Sequence, residues 1–485
     1  MNAILSRTLT LFEVPASLTY FRHNQSYLVV NPEVGSSRVL DRHQFELLQR
    51  IASNDPFPLV GEDQTNNERD LALFILSRLA YYNGHKPEIK ISESPLNYVY
   101  YAITDGCNLR CPYCYASSER KLAGELSNSE SRALLVQIAA AMAKVVVFTG
   151  GEPMLRRDLF QLAEFAGELG LQCNIVTNGT LIKTLDIAKR VAKLFKVVTV
   201  SLDGATADEH DITRGRGTFS TTMKAIHLLN EAGVTPNINH IVTSDNVDRI
   251  ESFAKLLSAI RVSSVRLMSH NKLGRGRADG RHFDWNDHIK VQHTSWTSPA
   301  AGALRTDGPK RISQCTVRGN CGMGGNEIYI NSLGDVYPCK LVTEDVHLAG
   351  NVRHQPLVDM LEGPLLAGMR TSTVFGGDYH SDCEKCYVKT ACGGGCRASH
   401  LSNTADLRKN SRQWCRIWRH GIISQLWIDA GVNKAELSQS HEHMTLPRLV
   451  ASDDTHPAFY DWRNENDTLA QSTVHQERLV NGALN

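Results

Sequence analysis

The chain has 485 residues, which at ~100–200 residues per domain allows two to four domains and ample core. Lys and Arg number 52 against 51 Asp and Glu, a formal charge of +1, so no long-range field gathers a nucleic acid or an anionic membrane. The longest apolar stretch, Ala133 to Phe148, is broken by Gln137 and Lys144 and falls short of the ~20 residues a bilayer span needs. The N-terminus MNAILSRTLTLFEVPASL has no basic segment followed by an apolar core, so no secretory signal and a cytoplasmic location are expected.

Residues 17–40 alternate apolar and polar positions around the turn signals HNQ and NPEVG, the pattern of two or three short strands. Asp41 is placed to cap a helix with Phe45, Leu47, Leu48 and Ile51 on one face. Leu71, Phe74, Ile75, Leu79 and Tyr82 mark a second helix that stops at Asn83-Gly84. Residues 1–92 therefore read as a small α+β, winged-helix-like module, with a polar loop over 53–67. From Tyr98 the runs YVYYAIT, VVVFTGG, CNIVTNG, VVTVSLDG, NINHIVT and SVRLMSH alternate with amphipathic segments. Repeated βα order predicts a parallel sheet with right-handed crossovers, and six strands predict a partial (β/α)6 barrel over 96–300. Ser127 and Glu130 form a capping-box pattern for its first long helix. Residues 271–312, rich in Gly, Arg and Ser, read as a connection. A cysteine-dense region follows over 310–425, and the polar tail 438–485 is assigned no fold.

Twelve cysteines in a chain expected in a reducing compartment point to metal rather than disulfides. Cys107, Cys111 and Cys114 follow the first barrel strand, at the end where parallel barrels carry their chemistry. Three thiolates are one short of a cubane cluster, which leaves an iron open to a small molecule; a three-cysteine zinc site is the alternative. The CxxxCxxC spacing, with Tyr113 before the last cysteine, resembles the radical S-adenosylmethionine (radical SAM) superfamily. Gly150-Gly151-Glu152-Pro153 ends the second strand as that family's GGE motif does. The resemblance implies that Cys107, Cys111 and Cys114 hold a catalytic [4Fe–4S] cluster and that SAM is bound by Gly150, Gly151 and Glu152. Tyr113 would pack its adenine, and Asn178, Ser201 and Arg214 would contact it further on. It also implies reductive cleavage of SAM to methionine and a 5′-deoxyadenosyl radical, which takes a hydrogen atom from substrate.

The remaining spacing is Cys315, Cys321, Cys339, then Cys383, Cys386, Cys392, Cys396 and Cys415, which matches the SPASM pattern of radical SAM enzymes. In similar proteins a crossover divides the eight. Cys315, Cys321, Cys339 and Cys396 would hold one auxiliary [4Fe–4S] cluster, and Cys383, Cys386, Cys392 and Cys415 a second. Cys173 is left over, a core residue unless it faces the barrel interior, where it could donate hydrogen. The same resemblance implies a peptide substrate: a precursor whose leader adds a strand to the N-terminal module, with an electron donor such as flavodoxin or ferredoxin. A side-chain crosslink, C–C (cyclophane) or C–S (thioether), is the expected product. Formylglycine formation is the alternative, although Lys340 stands after Cys339 where sulfatase maturases have an Asp base. A non-catalytic iron–sulfur carrier is the reading from another class.

Overall fold

The computed structural model describes residues 18–52, 96–298, 304–306, 317–384 and 386–439, together with Leu71, Phe74, Ile75 and Leu79. The expected loop at 53–67, the tail after 439 and Cys315 lie outside them. Strands β1 (Thr19–His23), β2 (Ser26–Asn31) and β3 (Ser36–Leu40) form an antiparallel sheet, followed by helix α1 (Arg42–Ala52). Asn24 takes φ 52° in the β1–β2 turn, a conformation Asn tolerates better than most residues. Asp41 caps α1: its Oδ1 accepts from Gln44 N at 2.8 Å while Gln44 Oε1 accepts from Asp41 N at 3.1 Å.

Period-two alternation gives this sheet two buried faces. Tyr20, Val29 and Leu40 pack on Phe45, Leu47 and Leu48 of α1. Phe21, Leu28 and Val30 pack on Ile422, Ile423 and Trp427 of a C-terminal helix, a docking that the sequence reading did not foresee. Of the second expected helix, Ile75 and Leu79 are buried in the first cluster, but Phe74 is 54% exposed. Positions 71, 75 and 79 make one inward row, and Phe74 falls beside it.

The six expected barrel strands are present: β4 (Tyr98–Ala102), β5 (Val145–Thr149), β6 (Gln172–Thr177), β7 (Val197–Ser201), β8 (Asn237–Val242) and β9 (Ser264–Ser269), paired in parallel and in chain order. Helices α2 (Asn128–Ala140), α3 (Leu159–Glu168), α4 (Leu185–Leu194), α5 (Ala207–Arg214), α6 (Thr218–Glu231) and α7 (Ile250–Ala259) connect them. The Ser127–Glu130 capping box starts α2 as the sequence predicts. Val99, Tyr101, Val146, Phe148, Val198 and Val200 bury against the helices, at ~1.5–3 kcal/mol for each fully buried large side chain. The alternate residues, including Tyr100, Thr199 and Ser201, line the other face.

Two corrections concern the barrel's extent. Residues 271–312 are more than a connection: they hold helix α8 (Trp285–Thr297), capped reciprocally by Asp284 and Asp287, and strand β10 (Leu304–Thr306), which adds in parallel to β9. The helix buries only a narrow strip around Asp287, Val291 and Gln292, so composition disguised it. At the other edge β11 (Glu327–Ile330), from the cysteine-dense region, adds in parallel to β4, followed by antiparallel β12 (Asp335–Tyr337) and β13 (Gly350–Asn351). Both additions cover strand edges that an open six-stranded barrel would expose. Helices α9 (Leu357–Glu362), α10 (Pro364–Thr371), α11 (Lys389–Cys392), α12 (Arg397–Thr404), α13 (Arg412–Asp429) and α14 (Lys434–Gln439) complete the described chain. No described helix is long and apolar enough to cross a membrane.

Candidate active site

The loop carrying Cys107, Cys111 and Cys114 leaves the carboxyl end of β4 and is held from several sides. Cys107 N donates to Glu119 O at 3.1 Å, Cys114 N to Cys111 O at 3.3 Å, and Leu109 N to Cys107 Sγ at 3.4 Å. A Cβ on Gly150 would stand 2.2 Å from Thr104 O, and one on Gly151 2.3 Å from Gly106 O. The two glycines thus admit the backbone leading into the cysteine loop, with Gly151 N on Thr104 O and Glu152 N on Gly106 O. The close approach they permit is to protein backbone.

Arg275 was not singled out from the sequence. Its Nε donates to Cys111 O at 3.1 Å, its Nη1 to Ser118 O at 3.0 Å, and its backbone N to Cys114 O at 3.0 Å. One residue from beyond β9 therefore clamps the loop at two of its three cysteines. Arg275→Ala will lower the iron retained per chain after anaerobic reconstitution while leaving far-UV circular dichroism unchanged; full iron loading would contradict the clamp.

Glu152 is fully buried and its carboxylate is largely engaged. Oε1 accepts from Thr177 Oγ1 at 2.7 Å and Met154 N at 3.1 Å, and Oε2 accepts from Asn178 N at 2.8 Å. With about four lone-pair sites on a carboxylate, one remains for an ammonium group. Asn178 has both ends of its amide occupied: Nδ2 donates to Asn108 Oδ1 at 2.9 Å, and Oδ1 accepts from Thr180 N and Oγ1. It fastens the β6 turn to the cysteine loop, a positioning role.

Asp203 gathers the next layer. Buried at 2% exposure, it accepts from Tyr113 Oη, from Arg214 Nε at 2.5 Å and from Ile241 N at 2.9 Å. Burial alone would raise its pKa, but Arg214, His240 and His210 outweigh that and hold the carboxyl down at about 2. Tyr113 and Arg214, both expected near SAM, are thereby brought together, with Arg214 acting electrostatically on Cys111. Ser201 lies at the end of β7, half-buried. His210 Nδ1 accepts from Asp203 N at 3.1 Å, and burial lowers its pKa to about 4. Against ~6.5 in an unfolded chain, the unfolded state binds the extra proton between these values. Stability should then fall by ~1.4 kcal/mol per pH unit as pH drops from 6.5 towards 4. In His210→Gln the loss of thermal midpoint between pH 7 and pH 5 should be smaller; an equal loss would contradict this.

The described SPASM-region cysteines fall into two neighbourhoods. The thiol acting on Cys321 and on Cys339 is that of Cys396. Cys392 is influenced by Cys386, Cys383 and Cys415, and Cys415 by Cys386 and Cys383. Asn410, Trp418, Arg419 and Lys389 enclose the second group. Burial pushes Cys107 up to about 11 and Cys415 to about 12, so these are thiols until a metal takes the proton's place. Among the described residues no three cysteines bring their sulfurs within 4.8 Å of one another; the group that does so is His282, Asp284 and Asp287.

Cys173 is settled by direction. It sits with Ile175 on the helix-facing side of β6, its Sγ 3.4 Å from Ala163 O of α3, and is a core residue.

Comparison with known proteins agrees with this geometry. The model of the radical SAM superfamily matches residues 101–257, and that of an iron–sulfur cluster-binding domain, SPASM, matches residues 321–387. Mycofactocin maturase MftC of Mycobacterium tuberculosis (strain ATCC 25618 / H37Rv) is 30% identical over 316 residues, 61% of this chain and 77% of that one. The chain belongs to the radical SAM superfamily and carries a SPASM domain. An AdoMet-dependent heme synthase of Methanosarcina barkeri is also similar, 27% identical over 328 residues, 63% of this chain and 92% of its own. Streptococcus suis SuiB, solved bound to precursor peptide SuiA, superposes with TM-score 0.54 at 16% identity over 83% of this chain and 99% of its own, a likeness of fold. As a radical SAM/SPASM enzyme the chain uses SAM and [4Fe–4S] iron–sulfur chemistry.

Proposed function

We propose that this chain matures a ribosomally made precursor peptide, holding its leader on the N-terminal sheet while side chains of the core segment are crosslinked, C–C (cyclophane) or C–S (thioether), above the barrel. The observation that carries the reading is that sheet. Among the described residues it has three strands in the order β1-β2-β3, and the outer edge of β3 is paired to no other described strand. It is seated through Phe21, Leu28 and Val30 on α13, the helix that also bears Cys415. An extended peptide added beside β3 would gain main-chain hydrogen bonds without any charge match, which suits a nearly neutral chain. MftC is named a maturase and SuiB was solved with a precursor peptide. Residues 96–485 amount to about 80% of the chain, so the 83% shared with SuiB takes in residues before 96. A porphyrin substrate, as the heme synthase relatives would imply, has no use for a strand edge.

In this reading Cys107, Cys111 and Cys114 hold the SAM-binding cluster, and Cys315, Cys321, Cys339 and Cys396, with Cys383, Cys386, Cys392 and Cys415, hold two auxiliary clusters. Bound together, the first cluster and SAM supply the one-electron cleavage that makes a 5′-deoxyadenosyl radical. The chain's own residues position it: Arg275 and Asn178 fix the cysteine loop, and Asp203 fixes Tyr113 and Arg214. Full thiolate ligation at the auxiliary sites suits electron uptake rather than substrate ligation. Domain limits of 1–92, 96–300, 310–425 and 438–485 and a flavodoxin or ferredoxin donor belong to the same proposal.

Formylglycine chemistry is disfavoured by Lys340, whose Nζ lies 3.8 Å from the Tyr100 ring centroid. Burial opposes its charge, but Tyr100, Glu327, Cys339 and Tyr115 outweigh that and raise its pKa. A cation so held cannot accept a proton. The test is to search the reading frames beside this one for a short precursor peptide and incubate it anaerobically with the protein, SAM and dithionite. A peptide mass lower by two hydrogen atoms, with fragmentation suppressed between the joined residues, is expected; an unchanged peptide alongside released 5′-deoxyadenosine would reject the substrate.

A further inference from the structure

Arg397 opens α12 directly after Cys396, and its side chain is wholly buried at 0% exposure. Its Nη1 donates to Asn410 Oδ1 at 2.6 Å and its Nη2 to Leu407 O, both neutral acceptors, while Nε is buried without a hydrogen-bond partner among the described residues. No described carboxylate forms an ion pair with it within 4.0 Å. A guanidinium does not shed its proton in a protein, and a buried charge with no compensation is among the most unfavourable features a fold can carry. The compensation must come from what surrounds it.

Those surroundings are cysteine from both neighbourhoods. After burial, the strongest influences on Arg397 are Cys383, then Cys321, then Cys415, ahead of Asp382. The backbone of Arg397 also bonds to Cys321. A second link runs through Asn410. Because a guanidinium only donates, Asn410 must turn Oδ1 towards it, which directs Nδ2 to Cys383 Sγ at 3.3 Å.

We propose that Arg397 is the shared counter-ion of the two auxiliary clusters, raising the reduction potential of both, and that through Asn410 it also fixes an N–H···S bond to the cluster held by Cys383. This rests on the reading that the two cysteine neighbourhoods hold clusters. An added electron makes a thiolate-ligated cluster more anionic, and a fixed cation beside it in a low-dielectric interior favours that state.

The test uses the reconstituted full-length protein, with iron and sulfide counted per chain and each cluster followed by electron paramagnetic resonance in a redox titration. In Arg397→Gln the reduced-to-oxidised ratio of both auxiliary clusters at a fixed poise should fall about tenfold, ~59 mV for one electron, with the SAM-binding cluster unmoved. Arg397→Lys should recover most of the shift, and Asn410→Leu should move only the cluster ligated by Cys383. If Arg397→Gln does not load iron, Asn410→Asp neutralises the guanidinium in place and must lower both potentials. Loaded auxiliary clusters with unchanged potentials in either decisive variant overturn the role of Arg397. Wild-type protein with no auxiliary signals overturns the cluster reading itself and this proposal with it.

Discussion

Anaerobically reconstituted Cys111→Ala protein will form no detectable 5′-deoxyadenosine from SAM and dithionite, whereas Cys386→Ala will form it at the wild-type rate and yield no finished product. The asymmetry follows from where the two cysteines sit. Cys111 is in the loop after β4, its carbonyl clamped by Arg275 and its sulfur under the influence of Arg214. With only three thiols to begin with, loss of one leaves too few to hold a cluster that must also keep an iron corner open for SAM. Cys386 belongs to the group enclosed by Cys383, Cys392, Cys415, Asn410 and Arg419, and among the described residues no hydrogen bond joins that group to the cysteine loop after β4. Retained SAM cleavage by Cys111→Ala would remove the catalytic assignment. Loss of cleavage by Cys386→Ala would mean that the auxiliary cluster is the entry point for electrons.

The precursor peptide will slow hydrogen exchange at Ser36–Leu40 of β3 about tenfold or more, leaving the barrel strands β5 and β6 unchanged. One added backbone hydrogen bond contributes ~1 kcal/mol net, and β-augmentation would supply several along a five-residue strand. Deleting residues 1–92 would be a poorer test. That deletion also strips Phe21, Leu28 and Val30 from Ile422, Ile423 and Trp427, leaving an apolar face open beside the second cysteine group. Exchange measured on the intact protein avoids this. Protection confined to barrel segments, with β3 unaffected, would reject the N-terminal sheet as the leader site.

Much of the site was legible because its chemistry is local. Cysteines at 107, 111 and 114 share one loop, Gly150 to Pro153 share one turn, and Ser127 with Glu130 needs only one helical turn to form its box. The division of the later cysteines rested on resemblance to a long spacing pattern. What misled was composition: the Gly/Arg-rich stretch after β9 hid both α8 and the clamp of Arg275, and β10 and β11 are too short to show a period.

The amino-acid sequence by itself determined the order of the six central strands, the open three-cysteine loop and the family, since each is written in spacings of a few residues. Only the tertiary structure decided that Asp203 ties Tyr113 to Arg214, that Arg275 reaches back 164 residues to Cys111, and that Cys173 faces a helix instead of the barrel interior. It also decided that the buried Arg397 is under the influence of thiols from both groups. Each depends on packing between segments distant in the chain, and no local propensity encodes which buried charge will meet which partner.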